Sequence, residues 1–510
     1  MMTNSPPGSF PQLGAKMAAG AGWMVSAKLA ERLLSLASTM ILARLLVPED
    51  FGLIALAATF LALLEIMGAF NFDLALIQNQ RAERRHYDTA WTLDVVYGAF
   101  SALILVGLAV PAAQFFRDPR LEGILYVFAA CTLVQGFKNV GVVAFQKELD
   151  FRREFVFMLV RKVVAVAVTL TLAYFLRSYW ALALGSFVSA IVAVAISYGM
   201  HPFRPRISLD GWRDLMRFSG WVLFSNVLIF AGNKGYDFVI GRVGGAGALG
   251  LYSVAYEISN LPTTEIVWPA SRVMFPGFSK LANDRGKLRE AFLNSAGIVA
   301  LITIPAGIGV AVLAEPIVRI LLGANWLAAV PLIQVLAVFG ILRALHAGIG
   351  VVYLALGKTH ISAWIALPHV LIGLPAAAYL LAHYGIEAAA IGVVTAGAVA
   401  LLMNLAIAKR ILALRVAELL ECFWRPALAA TVMGVIESGL LRALGPAAGM
   451  IELTFRLLLL VAVGAVAYVA STLSLWQLAG KPRGAERLLL DRLNSVRSHR
   501  AAERTGKDWA

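Results

Sequence analysis

The sequence has little charge, few cysteines and no long polar stretch. Of its 510 residues only 15% are charged, whereas about a quarter are charged in a typical soluble domain. Its two cysteines, Cys131 and Cys422, lie far apart without the spacing of a metal or redox motif, which argues against a zinc site or a dithiol enzyme. The longest polar pieces, residues 1–16 and 477–510, are too short to form a soluble core.

Long apolar runs take the place of those polar stretches. Hydrophobic residues make up 60% of the chain, and its mean hydropathy is +0.78. A helix needs roughly 20 apolar residues to cross the ~30 Å hydrocarbon core of a bilayer. The sequence therefore predicts an all-α polytopic membrane protein. About fourteen transmembrane helices are expected, at 18–46, 51–70, 89–113, 121–145, 155–176, 179–200, 219–241, 248–275, 288–314, 331–356, 361–382, 386–408, 426–444 and 453–476.

Lysine and arginine are distributed unevenly between the two sides of this predicted bundle. With the amino terminus in the cytoplasm, about 28 of them fall in cytoplasmic segments and 7 on the opposite side. Such a bias is the usual orienting signal of inner-membrane proteins. We therefore expect cytoplasmic amino and carboxyl termini. The net charge of +14 follows from this topology, and no nucleic-acid partner is expected.

The sequence also contains an internal repeat with an offset of 198 residues. Gly22 recurs as Gly220, and Gly52 recurs as Gly250. Because six predicted helices separate the copies, the repeats are parallel, which favours a binding site at the interface between two halves. The predicted organisation is a cytoplasmic segment 1–17, an N-lobe 18–200, a basic linker 201–218, a C-lobe 219–408, two extra helices at 426–476 and a basic cytoplasmic tail 477–510.

Ionisable residues inside the predicted helices mark the candidate site, because charges at membrane depth usually face a bundle interior or a watery cavity. Arginine and lysine are the natural donors to phosphate or pyrophosphate. The predicted anion-binding residues are Lys28, Arg32, Lys138, Lys234 and Arg343. The acids that could bind a coupling proton or Na⁺ are Glu31, Glu65, Asp237 and Glu257.

A structural interpretation of some of these charges stays open. Lys28 could pair with Glu31, and Lys234 with Asp237, without any role in binding. Arg161 lies about 10 Å from the end of its predicted helix, within reach of the interface, and is expected to be an anchor at the membrane surface. Asp94 and Arg272 lie close enough to helix ends to be solvated, so no function is expected of either.

Four segments carry a resemblance to a known family. They are residues 41–57 (ILARLLVPEDFGLIALA), 237–256 (DFVIGRVGGAGALGLYSVAY), 271–276 (SRVMFP) and 315–323 (EPIVRILLG). The chain resembles the Wzx-type lipid-linked oligosaccharide flippases, which belong to the polysaccharide transport family of the multidrug/oligosaccharidyl-lipid/polysaccharide superfamily. The resemblance spans roughly residues 15–475 and weakens after about residue 330.

This resemblance implies two six-helix lobes around a cationic central cavity, plus two further helices. It also implies that an undecaprenyl-pyrophosphate-linked oligosaccharide moves from the cytoplasmic to the periplasmic leaflet of the bacterial inner membrane by alternating access. Such a protein would be neither an enzyme nor dependent on an organic cofactor, and its partners would be bilayer lipid and the polysaccharide polymerase or export machinery. The alternatives are a multidrug antiporter of the same superfamily and a membrane-embedded glycan polymerase or ligase.

Overall fold

The computed structural model describes residues 10–67, 76, 83–148, 150–210, 220–358, 360–482, 484–488 and 491. Within these ranges the chain is helical, with no β-strand. We label the helices α1 to α16 in chain order: Phe10–Leu45, Pro48–Met67, Arg84–Phe116, Arg120–Gly136, Val143–Lys147, Phe151–Leu176, Trp180–Met200, Gly220–Leu281, Arg285–Val312, Ala314–Leu321, Val330–Ala355, His360–Pro368, Leu374–Tyr384, Ile386–Leu412, Val416–Leu444 and Met450–Leu478.

Most of the predicted transmembrane segments coincide with these helices. Among the described residues, ten helices are long and apolar enough to cross a membrane. Helix α4 and the helical segment Val140–Lys147 form a bent pair, and counting this pair as one span gives eleven. Helix α8 breaks at Gly245, whose φ of 77° is left-handed, so its two arms account for two predicted segments. Residues 68–70 and 219 of the predicted segments lie outside the described part of the chain.

Two helix boundaries differ clearly from the predicted ones. Helix α1 begins at Phe10, so the second half of the predicted cytoplasmic segment 1–17 is helical. Helix α15 begins at Val416 rather than near 426, because Glu418, Glu421 and Arg425 lower the hydropathy of its first turns below that of a membrane span.

Large apolar side chains cover the outer surface of the helices. Phe175 is 75% exposed, Val466 70% and Ile451 89%. A water-soluble protein rarely exposes so much continuous apolar surface, whereas a lipid-facing helix requires it. The protein is therefore a multi-pass membrane protein.

The chain divides into two compact units. The first contains residues 1–230 and 245–250, and the second contains residues 231–244 and 251–510. In the first unit, α3 packs on α4, α4 on α7, and α6 on both α1 and α7. In the second unit, α9 packs between α11 and α15, and α15 packs on α16. The finer division into two six-helix lobes and an extra pair stays a prediction.

A pair of repeat-related glycines meets inside the first unit. A Cβ atom on Gly52 would lie 1.7 Å from the carbonyl oxygen of Ala246, and one on Gly250 would lie 1.8 Å from that of Pro48. Each glycine and each carbonyl is separated from its counterpart by the same 198 residues as the sequence repeat. This reciprocal contact is what a repeat with approximate two-fold symmetry predicts, and only glycine allows the backbones to approach so closely.

The fourth predicted span is not one continuous helix. Helix α4 ends at Gly136, and the chain turns by 66° before Val140–Lys147. Asn139, which is fully buried, holds the turn: its side chain accepts a hydrogen bond from the Gly141 amide at 2.9 Å and donates to the carbonyl of Phe203 at 2.8 Å. The prediction of one continuous helix over 121–145 is therefore wrong, because hydropathy does not register an asparagine that satisfies a local turn.

The polar linker and the start of the tail are both bound to neighbouring helices. In the linker, the Arg206 amide donates to Asp88 Oδ1 at 2.9 Å. In the tail, Glu486 forms a 2.7 Å ion pair with Arg425 of α15, and both side chains are almost fully buried. Residues 211–218 of the predicted linker and 492–510 of the predicted tail lie outside the described residues.

Candidate functional site

A polar cavity of about 440 Å³ opens within the first unit. Helices α2, α3, α4, α6 and α7 contribute to its wall. A cavity of this polarity within a bundle of membrane helices is the expected place for a polar ligand. Its polar lining residues are Glu65, Asp94, Tyr97, Ser101, Thr132, Gln135, Lys138, Arg161, Ser186 and Ser189.

Close packing of α3 on α4 places part of this wall. A Cβ atom on Gly98 would lie 2.8 Å from the carbonyl oxygen of Thr132, and one on Gly136 would lie 2.9 Å from that of Asp94. Small residues at such crossings let membrane helices approach closely. The two glycines thereby set the positions of Asp94 and Tyr97 on one helix and of Thr132 on the other.

Acidic and basic side chains are balanced around the cavity. Glu65 and Asp94 provide two acids, while Lys138 and Arg161 provide two bases. Lys138 lies just beyond the end of α4, so the turn that interrupts the predicted span also places this lysine on the wall. Arg161 lines the cavity and lies 4.0 Å from Glu31 of α1, which differs from the expected role as an anchor at the membrane surface.

The cavity hydroxyls present acceptor atoms. Tyr97 donates its hydrogen to the carbonyl of Leu64 at 2.6 Å, and Thr132 and Ser186 donate theirs to carbonyls of their own helices at 2.8 and 2.9 Å. A hydroxyl whose hydrogen is donated elsewhere keeps its lone pairs available. The wall is therefore suited to a ligand rich in hydrogen-bond donors.

The polar stripe of α1 is arranged around Glu31. Lys28 Nζ lies 3.7 Å from one carboxylate oxygen of Glu31, and Arg161 of α6 approaches the other. Glu31 is the most buried of the three side chains, at 20% exposure, whereas that of Lys28 is 66% exposed. Arg32 is half-buried on the same helix. Lys28 and Arg161 thus share the Glu31 carboxylate, and the role of these side chains in binding stays a prediction.

The second unit contains a different cluster of predicted residues. Lys234 Nζ lies 2.8 Å from Asp237 Oδ2 on the same helix. Arg343 of α11 donates to the hydroxyl of Tyr256, and its guanidinium lies 5.8 Å from the centre of that ring. Glu257, the residue after Tyr256, is exposed.

Aromatic rings enclose this cluster, which we call the Tyr256 cluster (Lys234, Asp237, Tyr256 and Arg343). The ring of Tyr256 lies 5.9 Å from that of Tyr252 and 6.0 Å from that of Phe339. Tyr252 is almost completely buried. Lys234 and Asp237 therefore bind each other, and Arg343 binds Tyr256, within the second unit.

Sequence reasoning missed two charged residues of the cavity and one other buried acid. Arg161 and Asp94 were assigned to helix ends, although both line the cavity. Glu437 of α15 is 98% buried. It could have been identified from sequence, because it is an acid inside a predicted transmembrane segment. Within the described ranges, no group of three or more His, Cys, Asp or Glu side chains is arranged to hold a metal ion.

Comparison with protein-family models gives a match over residues 41–331, to the family described as "Polysaccharide biosynthesis protein". The match covers more than half of the chain. The chain belongs to this family. The resemblance predicted from residues 41–57, 237–256 and 271–276, which lie inside the matched region, is thereby confirmed at the level of the family.

Two curated relatives illustrate the similarity. The chain is 25% identical over 355 residues to the lipopolysaccharide biosynthesis protein WzxC of Escherichia coli strain K12, a match covering 68% of this chain and 71% of that protein. It is 27% identical over 318 residues to the succinoglycan biosynthesis transport protein ExoT of Rhizobium meliloti strain 1021, covering 62% of this chain and 64% of ExoT.

Among solved structures, the chain is similar to the lipid II flippase MurJ in an inward closed conformation. The TM-score is 0.66 with 14% sequence identity, and the match covers 89% of this chain and 98% of MurJ. At that identity the likeness shows the fold and not the substrate. The predicted all-α polytopic membrane fold is confirmed.

Proposed function

We propose that this protein is a flippase that moves an undecaprenyl-pyrophosphate-linked oligosaccharide repeat unit from the cytoplasmic to the periplasmic leaflet of the bacterial inner membrane. The observation that carries the proposal is a polar cavity inside a membrane-spanning unit of a polysaccharide biosynthesis protein. The names of its relatives, which refer to lipopolysaccharide and succinoglycan biosynthesis and to transport, support a role in glycan transport rather than in drug efflux.

The physical task of such a protein is to lower the cost of moving polar groups across hydrocarbon. A hydroxyl transferred into an apolar medium without a hydrogen bond costs roughly 4–8 kcal/mol, and an isolated charge costs far more. An oligosaccharide with a pyrophosphate therefore crosses a bare bilayer very slowly. A cavity that offers acceptors to the hydroxyls and cations to the phosphates replaces the lost hydration, while the prenyl chain stays in lipid.

The cavity residues divide naturally between the two parts of this substrate. Lys138 and Arg161 would bind phosphate oxygens, with Lys28 and Arg32 of α1 as further cations in the same unit. Glu65 and the lone pairs of Tyr97 and the cavity serines would accept hydrogen bonds from sugar hydroxyls. Glu65 and Asp94 also repel the phosphates. This repulsion prevents binding so tight that the substrate would not be released.

Lys234 and Arg343 of the second unit are the other proposed phosphate ligands. Lys234 would have to exchange Asp237 for the phosphate, and Arg343 would have to release Tyr256. Such an exchange fits alternating access, in which a site is closed by internal partners in one state and opened to substrate in another. Asp237, Glu31, Glu65 and Glu257 are the proposed acceptors of a coupling proton or Na⁺.

The test uses a strain that lacks the gene, complemented with wild-type protein or with Lys138→Met. Lipid-linked glycans are extracted and divided by leaflet with a glycosidase that reaches only the periplasmic side. We expect repeat units to accumulate on the cytoplasmic side in the deletion strain and with Lys138→Met, and to be restored by the wild type. Normal export in the deletion strain, together with new sensitivity to cationic drugs, would favour the antiporter instead. Arg319→Met, which removes an exposed ion pair with Glu315 on α10, is the matched control.

A further inference from the structure

Glu437 is a buried acid that the proposed transport mechanism does not use. It lies on α15, seven residues before Leu444, or about 10 Å from the end of the helix at 1.5 Å per residue. Only 2% of its surface is exposed. Helix α15 packs between α9 and α16, so protein surrounds the side chain within the predicted membrane span.

The carboxyl group of Glu437 is packed against a glycine and lacks a hydrogen-bond partner. A Cβ atom on Gly464 of α16 would lie 1.9 Å from Glu437 Oε1, so the absence of a side chain at Gly464 makes the space for the carboxyl. The other oxygen, Oε2, is buried and has no hydrogen-bond partner among the described residues. A carboxylate in such a place would lose its hydration without compensation.

The ionisable groups around Glu437 are either distant along their helices or already paired. On α16, Tyr468 donates its hydroxyl hydrogen to the carbonyl of Leu301, and Arg456 binds Glu452 and the carbonyl of Leu444. Helix α9 carries no ionisable residue between 291 and 312. On α10, which packs on α16, Glu315 and Arg319 pair with each other at 2.9 Å.

The ionisable groups of α15 itself do not supply a counter-ion either. Arg442 is exposed. Arg425, three turns before Glu437 along the helix, forms an ion pair with Glu486. The packed helices therefore accommodate the neutral acid and disfavour the anion.

We propose that Glu437 is a proton-binding site of the α15–α16 pair, occupied while the two helices are packed together. Release of the proton to water creates a carboxylate that must be hydrated, and water reaches it only if α16 moves away from α15. Proton binding and helix packing are thus coupled. An aliphatic side chain would fill the same space without this coupling.

The first measurement is infrared spectroscopy of the purified full-length protein in lipid nanodiscs. Wild type at neutral pH should show the high-frequency C=O stretch of a carboxylic acid that makes no hydrogen bond, and Glu437→Gln should lack that band. Glu315→Gln, which alters an exposed acid, should keep it. Absence of the band in wild type at neutral pH would overturn the proposal.

Hydrogen exchange tests the link to packing. As pH rises, exchange of the α15 and α16 amides should increase beyond the intrinsic base catalysis in wild type, by up to about tenfold per pH unit for one proton. Glu437→Gln should remove this excess, and so should Glu437→Met, which serves if the glutamine variant does not fold. Equal pH dependence in wild type and a folded variant would overturn the coupling. Neither measurement involves the transported substrate, so its failure would be distinct from failure of the flippase proposal.

Discussion

The two units treat their membrane-embedded charges differently. In the first unit, Glu65, Lys138 and Arg161 line an open cavity, whereas in the second unit Lys234 is bound to Asp237, and Arg343 to Tyr256. The sequence repeat predicts equivalent helices, and yet the polar groups of the two units are not equivalent. A repeated fold therefore fixes where helices lie, while the side chains decide which copy is open to a ligand.

The largest expected effect comes from forcing apart two helices that form the cavity wall of the first unit. Gly136→Leu places a branched side chain where even a Cβ atom would lie 2.9 Å from a backbone oxygen, so α3 and α4 must separate. Overpacking of this kind costs about 1–3 kcal/mol of stability, and we expect polysaccharide export to be lost. Export and the melting temperature of purified protein are the measurements. Gly107→Leu is the control, since nothing lies within 4 Å of that position. Equal behaviour of the two variants would contradict the described packing.

Removing a cation from the cavity should impair transport. Lys138→Met deletes a charged donor from the wall but keeps the length of the side chain. A charged hydrogen bond contributes about 1.5–3 kcal/mol, so export should fall roughly ten- to hundredfold if this lysine binds phosphate. Lys138→Arg should retain much of the activity. Full export with Lys138→Met at normal protein levels would remove this residue from the site.

Breaking the ion pair of the second unit should have an asymmetric effect on stability. Lys234→Ala removes the cation that lies 2.8 Å from the Asp237 carboxylate, whose side chain is 9% exposed. Asp237→Asn leaves Lys234, which is 47% exposed and can reach water. We expect Lys234→Ala to lower the free energy of unfolding by about 1–3 kcal/mol, less than for a fully buried pair, and Asp237→Asn by less. Thermal melts of both variants and of Lys234→Met/Asp237→Leu measure this. Equal losses would show that solvent, not Lys234, stabilises Asp237.

The smallest expected effect concerns the Tyr256 hydroxyl. Tyr256→Phe keeps the ring under the Arg343 guanidinium and removes one hydrogen bond. We expect the free energy of unfolding to fall by about 1 kcal/mol. Because Arg343 no longer donates to Tyr256, the affinity for an anionic ligand should be unchanged or slightly increased. Melting curves with and without inorganic pyrophosphate measure both effects. A large loss of stability would show that the hydroxyl has a further partner.

Much of the architecture could be predicted from sequence, because the length of an apolar run and the charge of a loop depend only on the residues of that short segment. Depth in the membrane also follows from position along a helix, which is why Lys138 and Glu65 were identified. The direction in which a side chain points depends on how helices pack, so Arg161 was placed at the surface although it faces the cavity. The turn after Gly136 was missed for a related reason, since Asn139 is satisfied by carbonyls more than 60 residues away.

The most direct test of the central claim is a flipping measurement in liposomes that contain only the purified protein and a fluorescent undecaprenyl-pyrophosphate-linked oligosaccharide. A membrane-impermeant quencher reports the fraction of label that reaches the outer leaflet with time. We predict fast equilibration with wild type and with Arg319→Met, and slow equilibration with Lys138→Met. Wild-type liposomes that flip the substrate no faster than protein-free liposomes would contradict the account.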